Sequence, residues 1–122
     1  RLTGNLTVDQ NTTAILVAAS DVTLDLAGFT IEGPNVCTWT AGSPPSVTCT
    51  YSGGGNGIES TSAHVVVVNG KIRGMGGSGI VLSGSGGRIE GVDVHHCGGA
   101  GITSAAVVRG VSVEENGSVG LS

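Results

Sequence analysis

The chain has 122 residues, of which 23 are Gly, 11% are charged and 2% are aromatic. That length holds one domain; β-branched residues with Gly and Ser favour strands and turns over helices, and the low charge excludes a disordered chain. A net charge of −4, with no Lys/Arg cluster and no aromatic ladder, argues against a nucleic-acid partner.

In chain order, strand-like residues from Leu2 to Val8 come first. The longest apolar run, Ala14 to Ala19, follows and is far shorter than the ~20 residues that span a bilayer. Val22, Leu24 and Leu26 then alternate with period two, as a strand with one buried face requires. From Leu26 to Ile31 the residues read apolar, any, Gly or Asn, any, any, apolar. This frame returns at Val67 to Ile72, Ile89 to Val94 and Val108 to Val113. Its third position holds Gly28, Asn69, Gly91 and Gly110, the residue types that enter left-handed backbone at least cost, so a corner between short strands is predicted there in every repeat. Gly57-Ile58, Gly79-Ile80 and Gly101-Ile102 recur every 22 residues, and Gly120-Leu121 follows 19 later. A repeat of that length with several short strands predicts an all-β solenoid of four to five rungs, each touching only its neighbours.

The string Val22 to Gly33 (VTLDLAGFTIEG) and the Gly-Ile-headed rungs resemble the right-handed parallel β-helix repeat proteins, the pectate-lyase-like superfamily. That superfamily hosts polysaccharide lyases, hydrolases, epimerases, adhesins and phage spikes, so the resemblance implies a fold without choosing a function. Its lyases require acids for Ca²⁺ and a basic proton abstractor, and its hydrolases require paired Asp carboxylates. The Asp residues here are Asp9, Asp21, Asp25 and Asp93, and no acid pair falls at one frame position in adjacent rungs. No catalytic residue and no cofactor is assigned.

The chain reads as one domain over residues 1–122, with an insertion over residues 34–56 ejected from the wall as a loop. Cys37 and Cys49 bracket it at a separation suited to a disulfide, while Cys97 reads as a small buried hydrophobe. Trp39 and Tyr51 in the loop are the aromatic side chains available to stack on a sugar. Stacking identical frame positions gives two outward ladders, Glu32, Arg73, His95, Glu114 and Thr30, Lys71, Asp93, Ser112. They are either alternating charges on a solvated sheet or a strip that binds a polysaccharide.

Other motifs carry less. Gly74 to Gly79 satisfies GxGxxG but precedes the strand-like Ile80-Val81-Leu82 and reads as a rung corner. His95-His96-Cys97 is read as no metal site, because adjacent strand residues point to opposite faces. His64 has no acid or nucleophile near it in frame. Asn5, Asn11 and Asn116 stand in glycosylation sequons. Neither end carries an amphipathic cap. If Leu121 of one copy is the Ile58 equivalent of a composite rung, Leu6 and Val8 of the next fall at the positions of Val65 and Val67. The leading expectation is therefore a non-enzymatic, extracellular or cell-surface structural element, a homo-oligomer stacked end to end through Leu6, Val8 and Leu121. The alternative is a carbohydrate-binding or carbohydrate-active β-helix using Glu32, Lys71, Arg73, Asp93, His95 and Glu114.

Overall fold

The computed structural model describes residues 2–42, 46–50, 54–103 and 107–114. Its strands in chain order are β1 (Leu6–Thr7), β2 (Ile15–Val17), β3 (Thr23–Asp25), β4 (Thr30–Glu32), β5 (Cys37–Thr40), β6 (Ser46–Cys49), β7 (Ile58–Ser60), β8 (Val66–Arg73), β9 (Ile80–Leu82), β10 (Arg88–His95), β11 (Ile102–Thr103), β12 (Val107–Arg109) and β13 (Ser112–Glu114). One parallel sheet stacks β2, β7, β9 and β11; a second stacks β1, β4, β8 and β10, with β3 on β8 and with β12 and β13 on β10. Each rung thus gives one short strand to the first wall and one long or divided strand to the second, the signature of a parallel solenoid.

The core is a set of columns. Ile15, Ile58, Ile80 and Ile102 lie in register in the first wall. In the second, Leu24, Val67, Ile89 and Val108 form one column, and Leu6, Ile31, Ile72, Val94 and Val113 another. Ile58, Val67, Ile72, Ile80, Ile89 and Val94 are fully buried, whereas Leu6, Ile15, Val17, Leu24, Val108 and Val113 at the outer rungs are only partly so. Ser60 is a polar member of the interior, and its hydroxyl donates to the Val17 carbonyl at 2.8 Å. A buried polar group is tolerated when it is bonded in this way.

The frame works because of its third residue. Val67 and Ile72 are five positions apart, so in an uninterrupted strand they would face opposite sides. Asn69 (φ 58°), Gly91 (φ 63°) and Gly110 (φ 57°) are all left-handed, and this break in parity turns both flanking apolar residues inward. In the second and third rungs the strand runs through the corner as β8 and β10 instead of stopping there. The first rung differs from the sequence frame. Leu24, not Leu26, is the partner of Val67, and Ile31 remains the partner of Ile72, so this corner holds two extra residues. Both Ala27 (φ 52°) and Gly28 (φ 82°) are left-handed here, and the Gly28 amide donates to the Asn69 carbonyl at 2.7 Å. The displaced Leu26 is fully buried and fills the space over Gly70, where a Cβ would lie 2.3 Å from the Leu26 Cβ. Replacing Asn69 by Val should cost about 1–2 kcal/mol in urea-denaturation midpoints, because a β-branched residue is forced left-handed, while Asn69→Gly should be neutral or better.

The insertion after β4 is not an irregular loop: β5 and β6 form an antiparallel hairpin. Cys37 lies opposite Cys49. The Thr50 amide donates to the Val36 carbonyl at 3.0 Å, which makes Val36–Thr50 a hydrogen-bonded pair and the adjacent Cys37–Cys49 a non-hydrogen-bonded one.

The composite rung expected from the chain ends has the wrong register. Leu6 pairs with Ile31 in the Ile72 column, not at the Val65 position, and Val8 donates to the Glu32 carbonyl at 2.8 Å, placing it beyond that column. The physical reason is that residues 2–8 stack beneath the chain's own first rung, where the apolar Leu2 and Leu6 pack against the core. Leu121 lies outside the described residues.

Candidate functional site

The two ladders form as the repeat implies. Glu32 is the parallel partner of Arg73, Arg73 of His95 and His95 of Glu114; Thr30, Lys71, Asp93 and Ser112 are likewise in register. The side chains of Glu32, Arg73, His95, Thr30, Lys71, Asp93 and Ser112 project from the outer face because the inward positions between them are taken by Ile31, Ile72, Val94 and Val113. Arg73 donates from Nε (2.9 Å) and Nη2 (2.7 Å) to the same Glu32 oxygen. With about half of each side chain exposed, this pair contributes at most about 1 kcal/mol to stability. Its effect is to hold a cation and an anion in fixed positions at one corner of the wall.

That corner is the mouth of a cleft. β4, β8 and β10 end together, and Glu32, Gly33, Asn35, Val36, Arg73, Gly74 and His96 surround a space of about 190 Å³. Its size is below the ~300–1,000 Å³ of drug-sized sites and suits one ring or one carboxylate. Asn35 is part of its framework, since its buried amide donates to the Met75 carbonyl at 3.1 Å. Val36, 66% exposed, leads directly into the hairpin and gives the cleft an apolar lip.

Of the predicted binding residues, Glu32 and Arg73 meet in this cleft, whereas Lys71, Asp93 and His95 stand on the wall beside it. Trp39 lies in β5 opposite Val47, Glu114 closes the His95 ladder in β13, and Tyr51 is outside the described residues. Asn35, Val36 and His96 were not identified from sequence. Asn35 and Val36 belong to the insertion, where the period is lost, and His96 follows immediately after a ladder residue at a corner that a strand pattern does not resolve.

Two further expectations change. His64 does have an acid nearby, because Asp21 (φ 58°) and His64 (φ 57°) occupy stacked left-handed corners and His64 Nδ1 lies 3.6 Å from Asp21 Oδ1. His95 and His96 do not point to opposite faces. His96 is left-handed (φ 56°), and its ring converges on that of His95 with Nδ1 to Nδ1 at 2.7 Å. Two sequon asparagines also have structural roles, since Asn5 Oδ1 accepts the Thr30 amide at 2.9 Å and Asn11 Oδ1 the Gly55 amide at 3.1 Å. Asn116 is outside the described residues. Cys97 is buried, and that burial pushes its thiol up to about 11, against a smaller opposing effect of a backbone hydrogen bond at Met75. It is therefore a thiol, not a reactive thiolate, at neutral pH.

Parallel rungs, inward aliphatic columns, left-handed corners and a charged outer strip together define a right-handed parallel β-helix. Among the described residues no helix is long and apolar enough to cross a membrane. The family described as right handed beta helix region matches residues 3–122, and the chain belongs to it. No curated protein and no solved structure matches the chain.

Proposed function

We propose that this β-helix is a carbohydrate-recognition wall, and that the cleft beside the hairpin is where an acidic or hydroxyl-rich polysaccharide is gripped. The observation that carries this reading is the convergence of Arg73, Glu32, His96 and the apolar Val36 on one cleft next to the outward ladder of Lys71 and Asp93. A guanidinium and a carboxylate side by side match the donor and acceptor demands of uronate and hydroxyl groups, and the ladder continues that polarity along the solenoid axis. Binding is favoured over hydrolysis. In the observed strand registers Glu32 faces Arg73, Asp93 faces Lys71 and Asp25 faces Val68, so these acids do not form the carboxylate pair that glycoside hydrolysis employs. Affinity electrophoresis through polygalacturonate and through a neutral glucan tests it. Retardation by the acidic polymer that Arg73→Ala and Lys71→Ala each reduce severalfold is expected; equal mobility of parent and variants in both gels would refute it.

End-to-end stacking is the second reading. It is favoured by the burial gradient, in which columns closed in the middle rungs are left half open at Leu6, Ile15 and Leu24. Concentration-dependent sedimentation that is abolished by Ile15→Asp, with strand content retained, supports it; a single monomer boundary at all concentrations opposes it.

The placement of Cys37 opposite Cys49 in a non-hydrogen-bonded pair suits a disulfide and with it an extracellular or cell-surface location. Thiol titration of the denatured, unreduced chain should give one thiol, from Cys97, and three after reduction.

A further inference from the structure

We infer that His95 and His96 form a two-nitrogen chelate for a divalent cation of the copper or nickel class at the rim of the cleft. The inference goes beyond carbohydrate recognition and rests on geometry that strand periodicity conceals. Neighbouring residues of a strand diverge, but the left-handed backbone at His96 (φ 56°) swings its ring to the same side as His95. The two rings meet edge to face, with centroids 4.8 Å apart and planes at 74°. In the rung below, the equivalent corner after the strand is Gly74 (φ 71°), so a residue that enters this conformation only under strain stands where glycine serves in the neighbouring coil.

The separation of the nitrogens discriminates between metals. With metal–nitrogen bonds of about 2.0–2.1 Å, two donors 2.7 Å apart subtend roughly 80° at the metal. That is close to the cis angle of a square-planar or tetragonal ion and far from the tetrahedral angle zinc prefers, which would hold the nitrogens about 3.3 Å apart. Without metal, one Nδ1–H donates to the other Nδ1; on chelation the donor ring moves its proton to Nε2, so both Nδ1 lone pairs face the cation and no proton is lost overall. Among the described residues no group of three or more His, Cys, Asp or Glu side chains converges, so the remaining positions go to solvent oxygen or to an oxygen ligand in the cleft. Arg73, the partner of His95 in the rung below, opposes a dication, and Glu32, bonded to Arg73 through two N–H groups, offsets that charge. Cys97 is turned inward and buried, so the chelate is built from imidazole alone.

Titration of the full chain with Cu(II), and separately with Ni(II) and Zn(II), in a non-coordinating buffer tests this. One Cu(II) per chain is expected, with an electron paramagnetic resonance spectrum showing two equivalent nitrogens and with Ni(II) bound more tightly than Zn(II). His96→Gly should fold at least as stably, because it places glycine at a left-handed corner, and should weaken Cu(II) binding at least about tenfold. His95→Gln should weaken it similarly, while His64→Ala should leave it unchanged. Parent-like Cu(II) isotherms in His96→Gly and His95→Gln would overturn the inference, as would a spectrum with a single nitrogen ligand; should either variant fail to fold, the other carries the test.

Discussion

Ile72→Ala is expected to lower the unfolding free energy by about 2–5 kcal/mol, the range for emptying a well-packed aliphatic site. Ile72 has no exposed surface and is the middle of the column that runs from Leu6 and Ile31 below to Val94 and Val113 above. It also packs sideways against the rung corner, where a Cβ on Gly57 would lie 2.7 Å from Ile72 Cγ2. In a solenoid each coil is stabilised by the coils above and below, so a void here weakens two interfaces at once. Neighbouring backbone cannot collapse into it, because β8 is tied by parallel register to β4 on one side and β10 on the other. Urea denaturation followed by circular dichroism should show a lower midpoint with an unchanged slope. A loss below 1 kcal/mol would mean that the column is not packed as described.

Gly79→Ala should be nearly as damaging, by about 1–3 kcal/mol or more, through the opposite fault of overpacking. The added methyl would stand 2.2 Å from Val94 Cγ1 and 2.7 Å from the Gly101 carbonyl oxygen. That carbonyl accepts the Ile80 amide at 3.0 Å, one of the bonds joining the third rung to the fourth, so relief of the clash stretches the link between coils. Val94→Ala in the same chain removes one of the two clashes and should recover part of the loss on top of its own cost. Gly4→Ala, which meets nothing within 4 Å, is the control and should be close to neutral. Gly before Ile at Gly57 and Gly79 has this steric basis: the strand passes close beneath the apolar residue of the adjacent wall, Ile72 or Val94.

The outer ladders were legible from the repeat. Once Val67 to Ile72 and Ile89 to Val94 are aligned, the partners of Arg73 and Lys71 follow by counting, and the observed register agrees. The cleft was not legible, because four of its seven lining residues are Gly33, Asn35 and Val36, where the period breaks, and His96. A left-handed conformation can be anticipated for Gly91 or Gly110 but not for His96, His64, Asp21 or Ala27, whose side chains ordinarily disfavour it. His64 and Asp21 are held by the adjacent rung, the His64 amide donating to the Ser85 carbonyl and the Asp21 amide to the Ala63 carbonyl, whereas the Ala27 amide donates to Asp25 Oδ1 two residues earlier.

By itself, then, the amino-acid order determined the winding of the chain, the aliphatic columns and the charges that share an outer strip. Repetition makes those features additive: each coil states them again, and parallel pairing allows one alignment that buries every column. Only the tertiary structure decided the features that occur once. These are the two extra residues that put Leu24 beneath Val67, the return of Leu6 under Ile31, the hairpin of β5 and β6, and the meeting of His95 with His96. Their conformations are set by contacts with neighbouring coils, and such contacts leave no period in the chain for counting to find.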